Sequence, residues 1–467
     1  MSGVFGVYSI EELSVADEIL IGTVALQHRG EEGCGISLKL KDKSEFFTRR
    51  ANKLAYYFFK EDIGNKRFTG LDVLREMKPI AAISHTLYED SGGLQPIEIG
   101  GENHVISLAM DGVLLGYMGK NDSVMRLKFS THLDNTKNIF SAVERIMMDF
   151  RGRGSYCVAA LVRDRHDNVA LVGFRDPRGI KPLGLAKKKY KYMIMSENKA
   201  AEAVESDFFR DIEPGEAVVV SKKGIETKKL FDEEHSHCFF EYIYFADPTS
   251  VIEGKSVYEV RKELGRILAR KYVEKIKDVD LVMASPDSGR GVALGFQQEL
   301  FNLTGKYVPY EEVAIKNPGA KRTFQVEDES ERRLAAMLKF FLNTHIINGK
   351  KVAIGDDSIV RGTVFRDGMI YKLRKAGAVE IYPIISCPPL VYSCIKDIKG
   401  TSFIAHGLDG DLDKIGNEVA KKIGATFVCY PSEQDMRKAL SLEDICAGCV
   451  NGNFPVNEIF LNKDYTR

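Results

Sequence analysis

The sequence predicts a two-domain protein, with an α+β first half and a parallel α/β second half. Three observations support this prediction. A chain of 467 residues is long for one hydrophobic core, so two domains of about 200 residues each are expected. Short β-like runs dominate the first half, whereas single apolar strands alternate with long helical patterns from Val257 onward. Strand, helix and strand in sequence predict a parallel sheet with right-handed crossovers.

In the first half, short β-like runs alternate with two helical patterns. The predicted strands are 4–8, 156–162, 169–174, 192–195 and 217–220, and the predicted helices are 14–28 and 140–150. Ser14 and Asp17 resemble a capping pair at the start of the first helix, and Gly30 is expected to follow its end. We therefore expect sheets that are covered by helices.

A change in composition marks the predicted domain boundary. Residues 222–237 are rich in Lys, Glu, Asp and His and poor in apolar residues, which is typical of a linker or crossing segment. We therefore expect a first domain at 1–230 and a second at 231–467.

In the second half, strands and helices are expected in strict alternation. Val257, Val260, Leu264 and Leu268 recur at helical spacing and predict one helix face. The strands that follow are predicted at 280–284, 351–355 and 380–385, with helices at 290–303 and 364–375.

Composition excludes several classes of function. The 66 Lys and Arg residues balance the 66 Asp and Glu residues, so no general field attracts nucleic acid or an anionic membrane. No apolar run approaches the roughly 20 residues of a membrane helix, and the first residues lack the pattern of a secretory signal. We expect a cytoplasmic protein, in which the 8 cysteines serve as thiols, metal ligands or catalysts rather than as a disulfide scaffold.

The most informative stretch follows the predicted strand 351–355. It reads Asp356-Asp357-Ser358-Ile359-Val360-Arg361-Gly362-Thr363. Two carboxylates at a strand end suit a Mg²⁺-bound pyrophosphate ligand or the two hydroxyls of a ribose, whereas the rest of the run suits a monophosphate. Backbone N–H groups of a tight turn and of the next helix would hold that phosphate.

Two further features belong with this turn. Pro286-Asp287-Ser288-Gly289 follows the predicted strand 280–284, and neighbouring parallel strands would bring the two strand ends together. The intervening segment 311–339 carries the cations Lys316, Lys321, Arg322, Arg332, Arg333 and Lys339. Such a segment is either a solvated face or a lid that closes cations over a pyrophosphate leaving group.

These motifs, in this order, resemble the glutamine phosphoribosylpyrophosphate amidotransferase family. In the first half they are Leu26-Gln27-His28-Arg29-Gly30, Arg175-Asp176-Pro177, Gly179-Ile180 and Pro182-Leu183. In the second half they are Phe240-Glu241-Tyr242-Ile243-Tyr244-Phe245, Ser250-Val251-Ile252, Ser256-Val257-Tyr258-Glu259, Pro286-Asp287-Ser288-Gly289, Lys316-Asn317, Arg322-Thr323-Phe324 and the run from Asp356 to Thr363.

The resemblance implies a particular fold and reaction. The family joins an amino-terminal-nucleophile (Ntn) glutaminase domain, an αββα sandwich, to a type I phosphoribosyltransferase domain. The first domain frees ammonia from glutamine. The second uses that ammonia to displace pyrophosphate from phosphoribosyl pyrophosphate, at the start of purine biosynthesis.

The resemblance also assigns roles in the second domain. Asp356 and Asp357 would hold the ribose hydroxyls or Mg²⁺ together with Ser288, and the turn Ser358-Ile359-Val360-Arg361-Gly362-Thr363 would cradle the 5-phosphate. Lys316 and Arg322 would contact substrate, and Lys339 would assist catalysis. The lid departs from the pattern, because Pro318 and Gly319 replace an Arg and a Tyr, and Phe341 replaces an Asn.

The first domain departs further. The family's nucleophile is an amino-terminal Cys, whereas this chain has Ser2 after Met1. Leu87 stands where an Arg would clamp the glutamine carboxylate, a contact worth roughly 1.5–3 kcal/mol. Asp111 stands where an Asn would donate to the oxyanion, and losing such a donor typically lowers the rate about 10²–10³-fold. We predict a folded domain that is silent toward glutamine.

The cysteines follow the same resemblance. One branch of the family carries a [4Fe-4S] cluster, and Cys238, Cys394, Cys446 and Cys449 occupy the places of its ligands. Four cysteines also suit structural zinc, which remains the alternative. Cys34, Cys157, Cys387 and Cys429 lie in or beside apolar runs and are expected to be buried small hydrophobes.

Three functions therefore remain open. The chain is an amidophosphoribosyltransferase that uses free or partner-delivered ammonia, or a non-catalytic relative that binds phosphoribosyl pyrophosphate or nucleotide and pairs with an active amidotransferase, or a phosphoribosyltransferase with another acceptor. The resemblance also implies a homo-oligomer and purine nucleotides as ligands.

Overall fold

The computed structural model describes residues 2–64, 69–88, 93–117, 120–317, 329–394 and 403–457, with backbone alone at 329–333. Thirteen strands of the first half fall into two packed sheets. They are β1 (Ser2–Ser9), β2 (Gly33–Leu40), β3 (Phe46–Ala51), β4 (Pro79–Leu87), β5 (Ile97–Gly100), β6 (His104–Leu114), β7 (Gly154–Asp164), β8 (Val169–Arg175), β9 (Gly184–Lys188), β10 (Lys191–Met195), β11 (Asp207–Asp211), β12 (Glu216–Ser221) and β13 (Gly224–Lys229). The helices are α1 (Ala16–Ala25), α2 (Ala55–Phe58), α3 (Gly70–Met77), α4 (Asn121–Thr136), α5 (Ile139–Asp149) and α6 (Lys199–Ala203).

The two sheets form the middle of a four-layer sandwich. One has the order β11-β9-β10-β1-β4-β2-β3 and the other β13-β12-β8-β7-β6-β5, with antiparallel pairing throughout. Apolar side chains such as Val4 and Leu171 fill the space between the sheets. Ile19 of α1 packs on the outer face of the first sheet, and Phe129 of α4 packs on that of the second. Each sheet thus buries both faces, as the αββα prediction requires.

Three predictions of local structure in this half were wrong. Ser14 is not the N-cap residue of α1, because the residue before the helix is Val15, and the Ser14 hydroxyl accepts a long bond from the Ala16 N–H at 3.4 Å. The predicted helix also ends early, and a 3₁₀ turn at Gln27–Arg29 follows it. Within the predicted linker, Gly224–Lys229 forms the edge strand β13. Lys and Glu side chains on an exposed edge strand look like a linker in sequence, because charge there blocks further strand pairing.

The second half contains nine short strands and seven helices among its described residues. The strands are β14 (His237–Cys238), β15 (Val251–Ile252), β16 (Lys255–Ser256), β17 (Leu281–Ala284), β18 (Ala314–Lys316), β19 (Phe340–Leu342), β20 (Lys351–Asp356), β21 (Glu380–Ile385) and β22 (Ile445–Cys446). The helices are α7 (Val257–Ile276), α8 (Arg290–Thr304), α9 (Glu329–Lys339), α10 (Tyr371–Lys375), α11 (Leu412–Ile423), α12 (Glu433–Leu440) and α13 (Gly448–Asn451). Wider π-type turns occupy Phe59–Ile63, Glu241–Phe245 and Val364–Ile370, and a 3₁₀ turn occupies Thr344–Ile346.

A parallel sheet organises this half. Its strands run in the order β17-β20-β21, and single parallel bridges add Tyr310 beside β17 and Cys429 beside β21. Numbered along the chain, the five positions lie in the order 2-1-3-4-5. In open sheets of this kind the ligand binds outside the carboxyl ends of strands 1 and 3, where the order reverses. Here those strands are β17 and β20.

Helices cover both faces of the parallel sheet. Val292 and Phe296 of α8 pack against Ala353 on one face, and Val419 of α11 packs with Ile354 on the other. Over the stretches of chain that the structure describes, no helix combines the length and the apolar character needed to cross a bilayer.

Candidate active site

The two predicted strand-end motifs meet at the carboxyl edge of β17 and β20. The Ser288 hydroxyl donates to Asp357 Oδ1 at 2.5 Å, and Asp356 Oδ1 lies 3.4 Å from Ser288 Oγ. A Cβ atom on Gly289 would lie 2.1 Å from the Gly355 carbonyl oxygen, so only glycine permits this close approach of the two motifs. The geometry therefore joins Ser288, Asp356 and Asp357 into one oxygen-rich site.

Charge is concentrated at this site. Asp356 and Asp357 are both buried. Burial, together with the charge of Asp357, raises the pKa of Asp356 well above its usual range, and the Lys339 ammonium opposes that rise. Two adjacent carboxylates with a nearby cation are suited to binding a metal ion or vicinal hydroxyls, because either ligand relieves their mutual repulsion.

The turn after the carboxylates is held by contacts of its side chains and backbone. The Ser358 hydroxyl donates to Asp357 Oδ2 at 2.6 Å, and the Val360 carbonyl accepts from the Ile404 N–H at 2.8 Å. Gly362 has φ +78°, and a Cβ atom there would lie 2.5 Å from Ile404 Cδ1. A helical segment begins directly afterwards at Val364. The predicted residues 358–363 thus form a fixed turn whose backbone leads into a helix N-terminus.

A two-stranded ribbon supports the base of the predicted lid. β18 and β19 pair antiparallel, and the Asn317 N–H donates to the Lys339 carbonyl at 2.9 Å. Lys316 Nζ lies 3.8 Å from Asp287, beside the site. Phe341 is 55% exposed and faces its register partner Ile315, which is 56% exposed. The other predicted lid residues lie outside the part of the chain that the structure describes. They are Pro318, Gly319, Lys321 and Arg322, together with the side chains of Arg332 and Arg333.

The predicted residues of the first domain lie together near the start of β1. Ser2 is the register partner of Leu87 in the β1–β4 pair, and both are largely buried. The Ser2 carbonyl accepts from Arg29 Nε at 3.0 Å. Asp111 is also buried, with Oδ2 at 3.4 Å from Arg29 Nη2 and 3.9 Å from Lys181 Nζ. The Asp111 carboxylate therefore faces two cations.

Arg29 is the centre of a larger buried ion network. Its side chain is fully buried, and its guanidinium contacts Glu197 at 2.6 Å and both oxygens of Glu241 at 3.0 and 3.1 Å. Lys181 Nζ adds a contact to Glu241 at 3.1 Å, and the His28 ring contacts Glu197 at 2.8 Å. These charges lower the pKa of both glutamates despite their burial. Since Glu241 comes from the second half, the network joins the two halves.

Arg261 interacts electrostatically with both this network and the carboxylate pair. It is buried on α7, and its guanidinium donates to the carbonyls of Tyr242 and Ala246, each at 2.9 Å. Burial lowers its pKa, whereas the carboxylates of Asp357 and Glu197 raise it. One buried cation is therefore within electrostatic range of both sites.

The four predicted cluster cysteines lie near one another. Cys238 and Cys446 are register partners in the parallel β14–β22 pair, and the Cys449 carbonyl accepts N–H groups from Val391 and Tyr392, both at 3.1 Å. Burial raises the pKa of Cys238 and Cys449, and the neighbouring thiols, Cys394 among them, add to that rise. The four thiols form no disulfide. Within the described ranges, no three or more His, Cys, Asp or Glu side chains are arranged to hold a metal ion.

Comparison with known proteins decides the family. The amidophosphoribosyltransferase of Methanocaldococcus jannaschii is 32% identical over 501 aligned residues, which cover 98% of this chain and 98% of that protein. The enzyme of the same name from Pyrococcus horikoshii is 33% identical over 471 residues, covering 97% of this chain and 96% of the relative. This chain belongs to the amidophosphoribosyltransferase family.

The fold agrees with that assignment. The phosphoribosylpyrophosphate amidotransferase of B. subtilis, solved with ADP and GMP, superposes with a TM-score of 0.81 at 25% identity and covers 99% of both chains. No protein-family model matches this chain. The predicted family, fold class and type of enzyme are confirmed.

The sequence alone did not indicate every charged residue near the two sites of this amidophosphoribosyltransferase family member. It gave no role to Arg29, Lys181, Glu197, Glu241 or Arg261. Arg29 and Glu241 stand inside motifs that the sequence analysis quoted, and Lys181 stands between two others. Glu241, the one charge within the otherwise apolar run 240–245, was a usable signal, because charge is rarely buried unless it is paired. Glu197 and Arg261 carry no such local signal.

Proposed function

We propose that this chain transfers the phosphoribosyl group of phosphoribosyl pyrophosphate to ammonia in the cytoplasm, giving phosphoribosylamine and pyrophosphate for purine biosynthesis. The supporting observation is the meeting of Ser288 with Asp356 and Asp357 at the point where the strand order of the parallel sheet reverses. That point is where the fold binds ligands, and it carries the oxygen donors that a metal-bound sugar pyrophosphate needs.

The substrate would lie across the edge of the sheet. Asp356 and Asp357 would accept hydrogen bonds from the ribose hydroxyls, and the backbone of residues 358–363, with Arg361 and Thr363, would hold the 5-phosphate. The pyrophosphate would then lie on the β17 side, near Asp287 and Ser288. Ammonia would approach the anomeric carbon as the pyrophosphate departs.

Ser288, Asp356 and Asp357 also fit Mg²⁺, which prefers carboxylate and hydroxyl oxygens. When bound, Mg²⁺ supplies positive charge that offsets the negative charge of the pyrophosphate. The chain's own cations have the same role, since Lys339 already acts on Asp356 and Lys316 lies beside Asp287. Arg322 would join them from the lid.

The first domain is proposed to be silent toward glutamine. Asp111 carries a negative charge where an oxyanion would need a donor, and Arg29 and Lys181 already face that charge. Leu87 packs in the position from which an Arg would clamp the substrate carboxylate. Ser2 with a free amine would still be a nucleophile, but it would lack both the oxyanion donor and the Arg that binds the substrate carboxylate. Ammonia is therefore expected from solution or from a partner.

Cys238, Cys394, Cys446 and Cys449 are proposed to hold a [4Fe-4S] cluster, with zinc as the alternative. The chain supplies four thiols, which match such a group in donor type and number. When bound, the group would link the start of the second domain to the C-terminal segment, since Cys238 belongs to the former and Cys446 to the latter. Its proposed role is structural.

Three further proposals complete this picture. The domain boundary is placed at 230/231, between the last strand of the sandwich, which ends at Lys229, and the pairing of β14 with β22. Purine nucleotides are proposed as ligands, because the B. subtilis relative was solved with ADP and GMP. A homo-oligomer is proposed because closed symmetric assemblies are common among enzymes.

A single assay tests the reaction. Purified protein with Mg²⁺ and phosphoribosyl pyrophosphate is given ammonium, glutamine or neither, and pyrophosphate release is measured. We expect release with ammonium alone. Release with glutamine would contradict the silent first domain, and no release with ammonium would contradict the transfer proposal.

One observation favours a second candidate. Phe341 and Ile315 leave apolar side chains exposed on the ribbon that supports the lid. If this ribbon contacts a partner, the chain would be a non-catalytic relative that binds phosphoribosyl pyrophosphate and pairs with an active amidotransferase. Ligand binding without pyrophosphate release would support this candidate, whereas release with another amine or base alone would indicate a different acceptor.

A further inference from the structure

Arg290 is a further cation at the edge of the active site. It is the first residue of α8 and follows the Pro286-Asp287-Ser288-Gly289 motif directly. Arg290 Nη1 donates to Asp287 Oδ1 at 2.9 Å, and Arg290 Nε lies 3.3 Å from Glu312 Oε1. Glu312 is held in turn by the Tyr310 hydroxyl at 2.8 Å. The guanidinium is thus fixed between two carboxylates.

The geometry of the substrate indicates which of its groups would lie beside Arg290. Phosphoribosyl pyrophosphate carries its 5-phosphate and its pyrophosphate at opposite ends of the ribose. If the 5-phosphate occupies the turn after β20, the ribose covers Asp356 and Asp357, and the pyrophosphate extends toward β17. Arg290 follows β17, and Tyr310 lies beside the same strand. Arg290 is therefore on the pyrophosphate side of the site.

The pairing of Arg290 with carboxylates does not prevent this role. The side chains of Arg290, Asp287 and Glu312 are 47%, 59% and 46% exposed. Exposed ion pairs of this kind contribute little to stability, so their exchange for a stronger partner is easy. A phosphate offers more charge than a carboxylate and matches the guanidinium fork in the same bidentate manner.

We propose that Arg290 binds the pyrophosphate of the substrate, an inference that rests on the proposed function. In the free protein, Asp287 and Glu312 hold the guanidinium at the edge of the site. When the substrate binds, pyrophosphate oxygens replace them. Lys316, which lies 3.8 Å from Asp287, is the second cation on this side.

The test is calorimetric titration of the full chain with Mg²⁺-pyrophosphate and, separately, with ribose 5-phosphate. Arg290→Gln should weaken Mg²⁺-pyrophosphate binding about tenfold or more, because a charge-assisted bidentate contact is lost. Arg290→Lys should weaken it roughly threefold, since the charge stays but the fork is lost. Neither variant should change ribose 5-phosphate binding.

Arg270→Gln is the matched control. Arg270 is 48% exposed and also joins two carboxylates, Glu299 at 2.6 Å and Glu263 at 3.1 Å, but it lies on α7 away from the site. The Arg270→Gln variant should bind Mg²⁺-pyrophosphate and ribose 5-phosphate as tightly as the wild type does. Unchanged pyrophosphate binding in Arg290→Gln would overturn the inference, and so would an equal loss of both ligands.

The two proposals fail separately. If the wild type releases no pyrophosphate from phosphoribosyl pyrophosphate while Arg290→Gln still loses Mg²⁺-pyrophosphate binding, the transfer reaction is wrong and the role of Arg290 stands. If the wild type turns over and Arg290→Gln binds pyrophosphate equally well, the reaction stands and the role of Arg290 is wrong. A wild type that binds no Mg²⁺-pyrophosphate would overturn the inference outright.

Discussion

Replacing Arg29 by Met should strongly destabilise the protein. Met keeps an unbranched apolar stem but removes the guanidinium and with it the contacts to Glu197, to Glu241, to Asp111 and to the Ser2 carbonyl. Three buried carboxylates would then share Lys181 and His28 as partners. Breaking one buried ion pair typically costs about 3–5 kcal/mol, and this network loses its central cation, so we expect a loss at the upper end of that range.

Urea unfolding measures this loss. The chain contains 19 Tyr and no Trp, so tyrosine emission and far-UV circular dichroism are the suitable probes. Both halves should lose stability together, because Glu241 belongs to the second half and the other network residues to the first. Arg270→Met is the control, since its exposed pairs are worth about 0–1 kcal/mol.

The pH dependence provides a second criterion. The folded pKa values of Glu197 and Glu241 lie below the ordinary 4.5, so the stabilisation by Arg29 is fully present above pH 4.5. It is lost as the pH falls through the folded values. The difference between wild type and Arg29→Met should therefore shrink in acid. A difference below about 1 kcal/mol at pH 7 would refute the reasoning about this network.

Three further predictions concern separate parts of the molecule. Burial and the charge of Glu253 raise the pKa of Asp211 from 3.8 to about 6, which at 1.36 kcal/mol per pH unit corresponds to about 3 kcal/mol. The cost of charging buried Asp211 is absent below pH 3.8, grows as the pH rises to about 6 and is complete above it. In urea unfolding, the stability of Asp211→Asn relative to wild type should therefore rise by up to that amount between pH 4 and pH 8. Gly362→Val should weaken ribose 5-phosphate binding about tenfold or more in calorimetry, because φ +78° and the contact with Ile404 both oppose a side chain. Cys446→Ser should purify with much less iron or zinc than wild type by elemental analysis.

Each of these has an outcome that contradicts it. A pH-independent difference for Asp211→Asn would mean that the carboxylate is solvated. Gly362→Val should keep its Mg²⁺-pyrophosphate binding, and a loss there would point to general disruption of the sheet edge. Cys429→Ser, at a buried thiol beside β21, is the control for Cys446→Ser. Equal metal content in the wild type and in both variants would contradict the proposed cysteine site.

Strands and turns of the second half could be predicted because each is formed by one continuous stretch of sequence. The strand predicted at 380–385 is β21 to the residue, since a buried parallel strand reads as a short apolar run between turn residues. The turn after β20 was equally visible, because Asp356 to Thr363 form one uninterrupted run. Such features need no knowledge of what packs around them.

The ion network could not be derived in the same way. Arg29, Glu197 and Glu241 come from three distant parts of the chain, and no spacing rule links them. Their pairing depends on how the sandwich docks against the second half. The strand β13 was missed for a related reason, because an exposed edge strand of Lys and Glu has the composition of a linker.

The pairing of Cys238 with Cys446 has a consequence for biosynthesis. The two residues lie on the order of 200 positions apart, and contacts of such long range form late in folding. On the ribosome, the sandwich and the parallel sheet can both be made before the last cysteines emerge. The growing chain would therefore present Cys238 without Cys446 and Cys449 until those two residues have been made. Any metal loading that needs all four thiols must wait for them.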